Sequence, residues 1–457
     1  PARPPEPTQN LLLVYIDTLR ADHLGAYGYP LPTSPTIDAL AATGARLDAA
    51  YAPAPWTLVS TASLFTGLLP ATHGAGIPGS VRNEARATTV TQLSGRFTTL
   101  ADVAESHGFA TALFARNSYL GHGVEQGFST VSNPRRRDGA HTVDAALEWL
   151  DDVPDDDRFF LAVHLMDAHT PNDPPAEHRA HFPALVEASE GQLKQARRFR
   201  REFGDADYDA DEIFYRQRRQ ALYDASIRYV DEQVGRLLEG LGDRRRDTLV
   251  VVTADHGEEF WDHYELEQRV YEDPRRQWGM GHGHTFFEEL VRVPMIFAQP
   301  GVLIPSVVSA RVSHVDWMPT VLDLLGLDGP DDIDGQSYAA LLQGGKAPAP
   351  DPTLVFDEVC FGADKQGIRE GDLKLVRSVT EADLLLDLSA DPGETRNLAA
   401  QRPADVARLG AELDRRLAAA AARGQRLLGG TTPEDRALDD DEIDELRAMG
   451  YLDDDAE

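Results

Sequence analysis

NLLLVYID, residues 10–17, is a continuous apolar run that ends in an acidic residue. Such a run is typical of a strand that is buried on both faces of a mostly parallel sheet. Three further stretches predict strands of the same kind: FFLAVHLMD (159–167), DTLVVVTADHG (247–257) and VPMIFAQPG (293–301). Between them, apolar residues at steps of three and four predict helices. The alternation predicts an α/β fold with a doubly wound, mostly parallel central sheet and helices on both faces.

Polar residues follow several of these predicted strands directly. In doubly wound sheets, ligands bind just beyond the carboxyl ends of the strands. A hard divalent cation prefers carboxylate oxygens, and Mn²⁺ or Zn²⁺ also accepts imidazole. We therefore expect a metal site among the strand-end residues, which are Asp17, Asp167, Asp255 and His256.

The texture of the chain changes after residue 341. The segment LLQGGKAPAPDPT (341–353) is rich in Gly, Pro and Ala and predicts a linker. Short apolar stretches then alternate with turns, which predicts a small C-terminal α+β domain with an antiparallel sheet. We expect the following parts: a Pro-rich spacer (1–9), a large α/β domain (10–345) with an exposed helical insertion (184–219), the small domain (346–425) and an acidic tail (426–457).

Charge and cysteine content narrow the classes of partner. With 76 acidic and 44 basic residues the formal net charge is -32, which disfavours nucleic-acid binding through a basic surface. An anionic substrate would need a locally positive site, which a metal ion supplies. Cys360 is the only cysteine, so an intramolecular disulfide or thiolate metal cluster is excluded, and we expect it in the core.

Targeting signals are few. No apolar run reaches the roughly 18 residues of a membrane-spanning helix. The Pro-rich start PARPPEPTQN would suit a spacer left after a signal or tether is removed, so we expect a periplasmic or extracellular protein. The oligomeric state stays open.

The stretch PAPWTLVSTASLFTGLLP, residues 53–70, allows two interpretations of Thr57. Thr is a favoured N-cap, so Thr57 would cap a helix that begins near Ser60 to Ala62. Alternatively, its hydroxyl is a nucleophile beside the predicted metal. The residue types alone favour the cap.

Six motifs in order change that balance: IDTLRADHLGAYGYPLPTSPTIDALAATG, PWTLVSTASLFTGLLPATHG, TADHGEEF, GHGHTFFEELVRVPMI, HVDWMPTVLDLLGLDGPDDIDGQSY and LLLDLSADPGETRNLA. Together they resemble the sulfatase family, within the alkaline phosphatase superfamily, over roughly residues 10 to 400. The resemblance implies an alkaline-phosphatase-like fold and a metal-dependent ester hydrolase with a small anionic ester as substrate. Carried over, Asp17, Asp255 and His256 match metal ligands and Thr57 matches the nucleophile.

The resemblance is broken at the nucleophile itself. Sulfatases have Cys-x-Pro-x-Arg there and convert the Cys to formylglycine, whereas residues 57–61 are Thr-Leu-Val-Ser-Thr. Formylglycine hydrate carries a second hydroxyl whose collapse expels sulfate, and threonine has none. A Thr-linked intermediate must instead be broken by in-line attack, which is familiar for phosphoryl groups. We therefore predict cleavage of phosphate or phosphonate esters, diesters or monoesters, without formylglycine. Thr18 stands where many sulfatases have another metal Asp.

Residues around the nucleophile are matched less closely. The resemblance places His169 beside the transferred group. His282 and His284 stand where the family usually has an active-site Lys, although neither aligns strictly with it. We expect one of them, preferably His284, to protonate the leaving group, because the pKa of imidazole suits that role. Arg116 or Asn117 would bind the anionic oxygens. We expect a core position for His164, a loop position for His263, and Lys365 away from the site.

Several alternatives remain open at this point. The chain would be a sulfuric ester hydrolase without formylglycine, a phosphoglycerol or phosphoethanolamine-type transferase, or a noncatalytic binding protein. One divalent ion (Mn, Zn, Ca or Mg) is expected, held by Asp17, Thr57, Asp255 and His256. A second ion would need Asp167, His169 and His282 or His284.

Overall fold

A mostly parallel eight-stranded sheet lies at the centre of the computed structural model, which describes residues 8–78, 88–134, 138–182, 210–273, 277–345 and 353–449. Residues 1–7 of the predicted spacer lie outside the described residues, as do most of the predicted insertion, the end of the predicted linker, and residues 450–457 of the predicted tail. Residues 210–219, at the end of the predicted insertion, begin a long helix.

The strands follow the apolar stretches of the sequence. They are β1 (Asn10–Ile16), β2 (Ala45–Tyr51), β3 (Thr89–Thr91), β4 (Ala110–Phe114), β5 (Thr130–Ser132), β6 (Phe159–Leu165), β7 (Thr248–Ala254), β8 (Glu259–Phe260), β9 (Met280–Gly281), β10 (Arg292–Ala298), β11 (Ser306–Ser313), β12 (Leu354–Asp357), β13 (Lys365–Glu370), β14 (Leu373–Ser378), β15 (Leu384–Asp387) and β16 (Asp435–Ala437).

The helices surround the two larger sheets. They are α1 (Pro35–Thr43), α2 (Thr57–Thr66), α3 (Pro70–His73), α4 (Leu100–Ser106), α5 (Gly139–Asp152), α6 (Ala176–Arg179), α7 (Ala210–Gly240), α8 (Tyr264–Val270), α9 (Glu288–Val291), α10 (Trp317–Leu325), α11 (Ala339–Leu342), α12 (Pro403–Leu428) and α13 (Asp440–Ala448). Short 3-10 turns lie at Ala21–His23, Gly25–Tyr27, Ser118–Gly121, Gly242–Arg246 and His314–Asp316. Among the described residues, we find no helix with the length and apolar character needed to span a bilayer.

The order of the central sheet is β11-β2-β10-β7-β1-β6-β4-β5, and it confirms the predicted fold class. β1 pairs in parallel with both β6 and β7, whereas β10 runs antiparallel to β2 and β7. Every residue of β1, β6 and β7 is buried, which explains why these strands are apolar throughout instead of alternating. α1 and α5 pack against α7, while α2 packs against α4 and α10, so helices cover the sheet in two layers.

The smaller sheet is antiparallel, in the order β12-β13-β14-β15, and α12 packs against β13 and β14. Leu409, Leu413 and Leu417 of α12 are buried against Ile368 and Leu375 of the sheet. Four-residue spacing puts the three leucines on one face of the helix, so burial of this face holds the helix on the sheet.

Strand register determines where the central sheet brings polar residues together. Ile16 at the end of β1 pairs with Ala254 at the end of β7. The residues that follow, Asp17 and Asp255, therefore leave the sheet side by side although they are far apart in sequence. β6 flanks β1 on the other side, with His164 opposite Tyr15.

Candidate active site

Asp17 and Asp255 are fully buried at the carboxyl ends of adjacent strands. The backbone bends sharply after Asp17, because Thr18 takes the left-handed φ of 58° and its N–H donates to Asp255 Oδ1 at 3.2 Å. The Thr18 hydroxyl donates to the carbonyl of Asp17 at 2.7 Å and so satisfies a backbone acceptor. Thr18 thus shapes the turn that follows Asp17 and connects this turn to Asp255. As a threonine it supplies no third carboxylate.

Helix α2 brings Thr57 to these acids. The helix begins at Thr57 itself, and Trp56 occupies the N-cap position without a side-chain cap. The prediction that Thr57 caps a helix starting near Ser60 to Ala62 is therefore wrong. Thr57 is fully buried, and its Oγ1 lies 3.4 Å from His256 Nε2. The hydroxyl faces the acid pair at the positive end of the helix dipole.

One turn further along α2, Ser60 ties the helix to the strand that carries the acids. Its hydroxyl donates to the backbone carbonyl of Asp255 at 2.5 Å and lies 3.0 Å from His314 Nδ1. All ten residues of α2 are buried. The position of Thr57 relative to Asp255 is therefore fixed by packing and by a hydrogen bond.

Asn117 connects Thr57 with Asp17. Its amide nitrogen donates to Asp17 Oδ2 at 3.1 Å and to Thr57 Oγ1 at 3.4 Å. Its amide oxygen accepts the N–H of Tyr119 at 2.9 Å as the cap of a 3-10 turn. Because the cap bond fixes the orientation of the amide, the NH₂ group must face the two oxygens. We call Asp17, Thr57, Asn117, Asp255 and His256 the nucleophile cluster.

The nucleophile cluster fits a divalent cation. Asp17, Asp255 and His256 each offer a ligand atom within 4.8 Å of the others. Asp17 Oδ1 and Asp255 Oδ2 are buried and take part in no hydrogen bond among the described residues. His256 Nδ1 lies 2.9 Å from the carbonyl of Gly257, which assigns the ring proton to Nδ1 and leaves the Nε2 lone pair for a metal.

The two acids titrate in opposite directions. Burial and then the charge of Asp255 raise the pKa of Asp17 well above its usual range. Burial alone would also raise the pKa of Asp255, but His256 and His164 outweigh it and lower that pKa below its usual range. Without a cation the pair therefore favours one proton and one negative charge, and a divalent cation would replace that proton.

His164 is buried as predicted for a core residue, but it also faces the acids. Its Nε2 lies 3.6 Å from Asp17 Oδ2 and 3.8 Å from Asp255 Oδ2. The ring stacks at a tilt on Tyr15, with centroids 4.5 Å apart. The sequence could not show this contact, because it depends on β6 lying next to β1.

A second layer of histidines borders the nucleophile cluster. The ring of His282 lies 4.4 Å from that of His256 and 5.0 Å from that of His169. Burial and then His282 lower the pKa of His169 to about 3, and His169 Nδ1 lies 2.5 Å from the carbonyl of Thr170.

Glu258, which our sequence analysis missed, lies 3.3 Å from His282 Nδ1. Its position two residues after the Asp255-His256 pair was the available signal.

Other predicted site residues lie elsewhere. His284 Nε2 contacts Glu259 and Glu267 at 3.1 and 3.0 Å. Arg116 acts electrostatically on Asp138 and Asp167, and Asp167 accepts the N–H of Gly139 at 3.2 Å. The structure thus brings His282, and not His284, to His256, and it brings Asn117, and not Arg116, to Thr57.

Three further residues can be placed. Lys365 pairs with Glu381 at 3.0 Å on the smaller sheet. His263 is buried and pairs with Glu289 at 2.6 Å, so the prediction of a loop role misses this ion pair. Cys360 is buried as predicted, and its N–H donates to the carbonyl of Gly283 at 2.8 Å.

A pocket opens beside His282 and combines apolar and charged walls. Its lining includes His169, Thr170, Arg219, Glu258, Phe260, Met280, His282, Phe361 and Met449. Met449 follows α13, whose Glu445 accepts a hydrogen bond from Ser118. Residues next to Asn117 thereby help to hold the C-terminal helix at the pocket.

Comparison with known proteins places this site in a family. The sulfatase profile matches residues 9–327, and the profile of the N-sulphoglucosamine sulphohydrolase C-terminal region matches residues 277–423. Arylsulfatase A of Homo sapiens is 29% identical over 87% of this chain and 84% of its own length.

Two solved structures share the fold. The phosphonate monoester hydrolase of Agrobacterium radiobacter superimposes with a TM-score of 0.69 at 22% identity, covering 94% of this chain and 97% of its own. That of Silicibacter pomeroyi gives 0.67 at 22% identity, covering 94% and 99%. Since the sulfatase profile spans more than half of the chain, this protein belongs to the sulfatase family and is an ester hydrolase.

Proposed function

We propose that this chain hydrolyses phosphate or phosphonate esters through a Thr57 nucleophile, with one divalent metal ion bound by Asp17, Asp255, His256 and the Thr57 oxygen. The observation that carries the proposal is the buried Thr57 hydroxyl at the acid pair, within 3.4 Å of both His256 and Asn117. The only cysteine in the sequence is Cys360, whose backbone N–H donates to the carbonyl of Gly283, whereas position 57 carries threonine. Formylglycine chemistry therefore has no residue to start from at this position.

The reaction has two displacements at phosphorus. Thr57 loses its proton and Oγ1 forms a bond to phosphorus while the bond to the leaving oxygen breaks and the leaving oxygen takes a proton, so one proton passes overall from Thr57 to the leaving group. Water then loses a proton and forms a bond to phosphorus while the bond to Thr57 Oγ1 breaks and Oγ1 takes a proton, so one proton passes overall from water to Thr57. A single threonine hydroxyl is sufficient for both steps, whereas expulsion of sulfate from formylglycine hydrate requires a second hydroxyl.

The residues around Thr57 support an ionised oxygen. The helix N-terminus favours negative charge at Thr57, and Asn117 holds the oxygen by its NH₂ group. When bound, a divalent ion would add positive charge that stabilises the ionised hydroxyl and the phosphoryl oxygens. The acid pair has the unpaired buried oxygens that such an ion requires.

We assign proton transfer to the leaving group to His282. Glu258 contacts its Nδ1 at 3.3 Å and orients the ring, so Nε2 is the nitrogen that delivers the proton. His169 contacts the transferred group in this scheme. Its low pKa and its Nδ1 contact to a carbonyl describe a neutral ring whose Nε2 accepts a hydrogen bond. From this position beside the transferred group, the ring nitrogen can accept a hydrogen bond from the water that attacks the intermediate.

The substrate is a small anionic ester, and the two phosphonate monoester hydrolases of the same fold make phosphonate chemistry a suitable first test. The strongly acidic chain would repel nucleic acid and other large polyanions. We propose that the protein is periplasmic or extracellular.

A panel of aryl esters tests the proposal. Turnover of a phosphate monoester, a phosphate diester, a phosphonate monoester and a sulfate monoester would be measured with Mn²⁺, Zn²⁺, Ca²⁺ and Mg²⁺. We expect a phosphorus ester to have the highest kcat/KM, with Thr57→Ala inactive and Thr57→Ser partly active. Thr66→Ala, at the far end of the same helix, is the matched control and should stay active. Preferred turnover of the sulfate, retained in Thr57→Ala, would overturn the proposal.

A further inference from the structure

A second buried group of acids and imidazole lies apart from the nucleophile cluster. Glu259 of β8, Glu267 of α8 and His284 are 1%, 1% and 6% exposed, respectively. Each offers a ligand atom within 4.8 Å of the others. We call these three residues the Glu-Glu-His cluster. Its three residues belong to three separate segments of the chain, so only the folded protein places them next to one another.

Backbone groups hold both carboxylates of the cluster in place. Glu259 Oε1 accepts the N–H of His263 at 2.8 Å, and Glu267 Oε2 accepts the N–H of Gly279 at 2.6 Å. The remaining oxygens, Glu259 Oε2 and Glu267 Oε1, lie 3.1 and 3.0 Å from His284 Nε2. Both carboxylates thus direct one oxygen at the same nitrogen. Such anchoring of ligands by outer hydrogen bonds is typical of metal sites.

Hydrogen bonds within the cluster cannot satisfy both oxygens. A ring nitrogen carries at most one proton, and His284 Nε2 bonds to Glu259. Glu267 Oε1 is buried and accepts no hydrogen bond among the described residues, although it lies 3.0 Å from the same nitrogen. A buried carboxylate oxygen without a donor is costly unless a cation meets it.

The charges in and around the Glu-Glu-His cluster leave one negative charge without a compensating positive charge. The neighbouring cations lie closest to other acids: His263 is 2.6 Å from Glu289 but 3.9 Å from Glu259, and Lys365 pairs with Glu381 at 3.0 Å. Two ionised carboxylates and a protonated His284 would sum to one negative charge in a buried site. Two carboxylates, a neutral imidazole and a divalent cation sum to zero.

We infer that Glu259, Glu267 and His284 bind a divalent cation of their own, of the Zn²⁺ or Mn²⁺ class that accepts mixed carboxylate and imidazole ligands. This ion is additional to the one proposed at Asp17, Asp255 and His256. The expected role is structural, because it would join β8, α8 and the segment that ends in His284. His282 lies two residues before His284, so the same ion would help to hold His282 against His256.

The alternative is that a proton neutralises the cluster. Burial and then the charge of Glu267 raise the pKa of Glu259 to about 8 in the absence of a cation. A protonated Glu259, an ionised Glu267 and a protonated His284 would then also sum to zero. Counting metal ions distinguishes the two possibilities directly.

Metal stoichiometry of the full chain tests the inference. The protein would be stripped with chelator, titrated with Co²⁺ and Zn²⁺, desalted and analysed by elemental mass spectrometry. We expect two equivalents in the wild type and one in Glu267→Gln and in His284→Gln. Glu265→Gln, an exposed acid on the same helix as Glu267 that pairs with Arg269, is the matched control and should keep two. Asp255→Asn should lose the other equivalent.

The outcomes separate this inference from the proposed function. One equivalent in the wild type that Asp255→Asn removes and Glu267→Gln keeps would overturn the second site alone. One equivalent that Glu267→Gln removes and Asp255→Asn keeps would support the second site and overturn the metal at Thr57. If the Gln variants fail to fold, titration of the wild type decides, because saturation at a single equivalent with a spectrum that His256→Gln abolishes contradicts the second site.

Discussion

Two of the regions in which this protein buries carboxylates neutralise the negative charge in different ways. On the smaller sheet, Lys374 is fully buried, with Nζ 2.8 Å from Glu288 and 2.7 Å from Glu394. Arg369 adds a contact to Glu288 at 2.9 Å, and Lys374 donates to the carbonyl of Phe286 at 3.0 Å. In this Lys374 cluster, lysine and arginine of the chain itself supply the positive charge.

The nucleophile cluster has no such internal cation. Among the ion pairs of the described residues, Asp17 and Asp255 meet only the imidazoles of His164 and His256, at 3.4 to 3.8 Å. Burying a carboxylate costs several kcal/mol unless it is paired well. The difference supports our proposal that the nucleophile cluster binds a cation and a substrate, whereas the Lys374 cluster serves to stabilise the fold.

The largest effect should come from removing the nucleophile. We expect Thr57→Ala to lower kcat by at least about 10⁴-fold, because it removes the hydroxyl that lies beside His256 and Asn117. The thermal midpoint should change little, since the site is not a stability element. Steady-state kinetics and a thermal melt measure both. A folded Thr57→Ala variant with full activity would contradict a catalytic role for the nucleophile cluster.

Breaking the Lys374 cluster should lower the stability of the protein and leave its kcat unchanged, the reverse of what we expect for Thr57→Ala. Lys374→Met leaves the buried Glu394 and the partly buried Glu288 with only Arg369 as a nearby cation, and we expect a loss of about 3–5 kcal/mol in the free energy of unfolding. Protein that remains folded should keep the wild-type kcat. Denaturant unfolding followed by activity per folded molecule tests this pair of expectations. A specific loss of kcat at unchanged stability would show that the two regions are not distinct.

Acid should weaken the Lys374 cluster in a defined window. Although burial would raise it, Lys374 and Arg369 hold the pKa of Glu288 at about 2, below the ordinary value of 4.5. The stabilisation by Glu288 is therefore complete above pH 4.5 and is lost as the pH falls through 2. The advantage of the wild type over Glu288→Gln should shrink by up to about 3 kcal/mol across this window. An advantage that grows on acidification would contradict this assignment.

The smallest effect should be a difference between His282 and His284 in how their substitution changes the dependence of kcat on the leaving group. We expect His282→Gln to lower kcat by about 10²-fold for esters with poor leaving groups and much less for nitrophenyl esters, because a good leaving group needs no proton. His284→Gln should show a clearly smaller dependence on the leaving group, since His284 contacts Glu259 and Glu267 and acts on His282 only through the segment that joins them. A leaving-group series for each variant measures the difference. The same dependence in both variants would contradict the assignment to His282.

Much of the fold could be predicted from the sequence, because the buried strands are continuous apolar runs. NLLLVYI, FFLAVHL and TLVVVTA each form a parallel strand of the central sheet. β2 was missed, since ARLDAAY alternates in burial and carries charged residues. The antiparallel direction of β10 could not be predicted, because an apolar run carries no information about strand direction.

The strand pattern alone predicted only the site residues that follow strands directly, whereas Thr57, Asn117, His169 and His282 were named from the segments that resemble the family. Asp17, Asp255 and His256 meet because β1 and β7 are neighbours, as strand-end residues of one sheet can be. The contact of His164 with the acids depends on the register of β6, which a single sequence does not contain. The choice between His282 and His284 depends on the turn at Gly283, whose φ of +82° separates the directions of the two rings. Loop geometry of this kind follows from packing, not from residue spacing.

Trapping the covalent intermediate tests the central claim most directly. The protein would be mixed with an aryl phosphonate or phosphodiester, quenched in acid within one turnover, digested and analysed by peptide mass spectrometry. We predict a mass increase equal to the transferred phosphoryl or phosphonyl group on Thr57, absent in Thr57→Ala and accumulating in His169→Gln. Turnover with the transferred group on another residue, or with no adduct under conditions that trap a slow substrate, would contradict a threonine nucleophile.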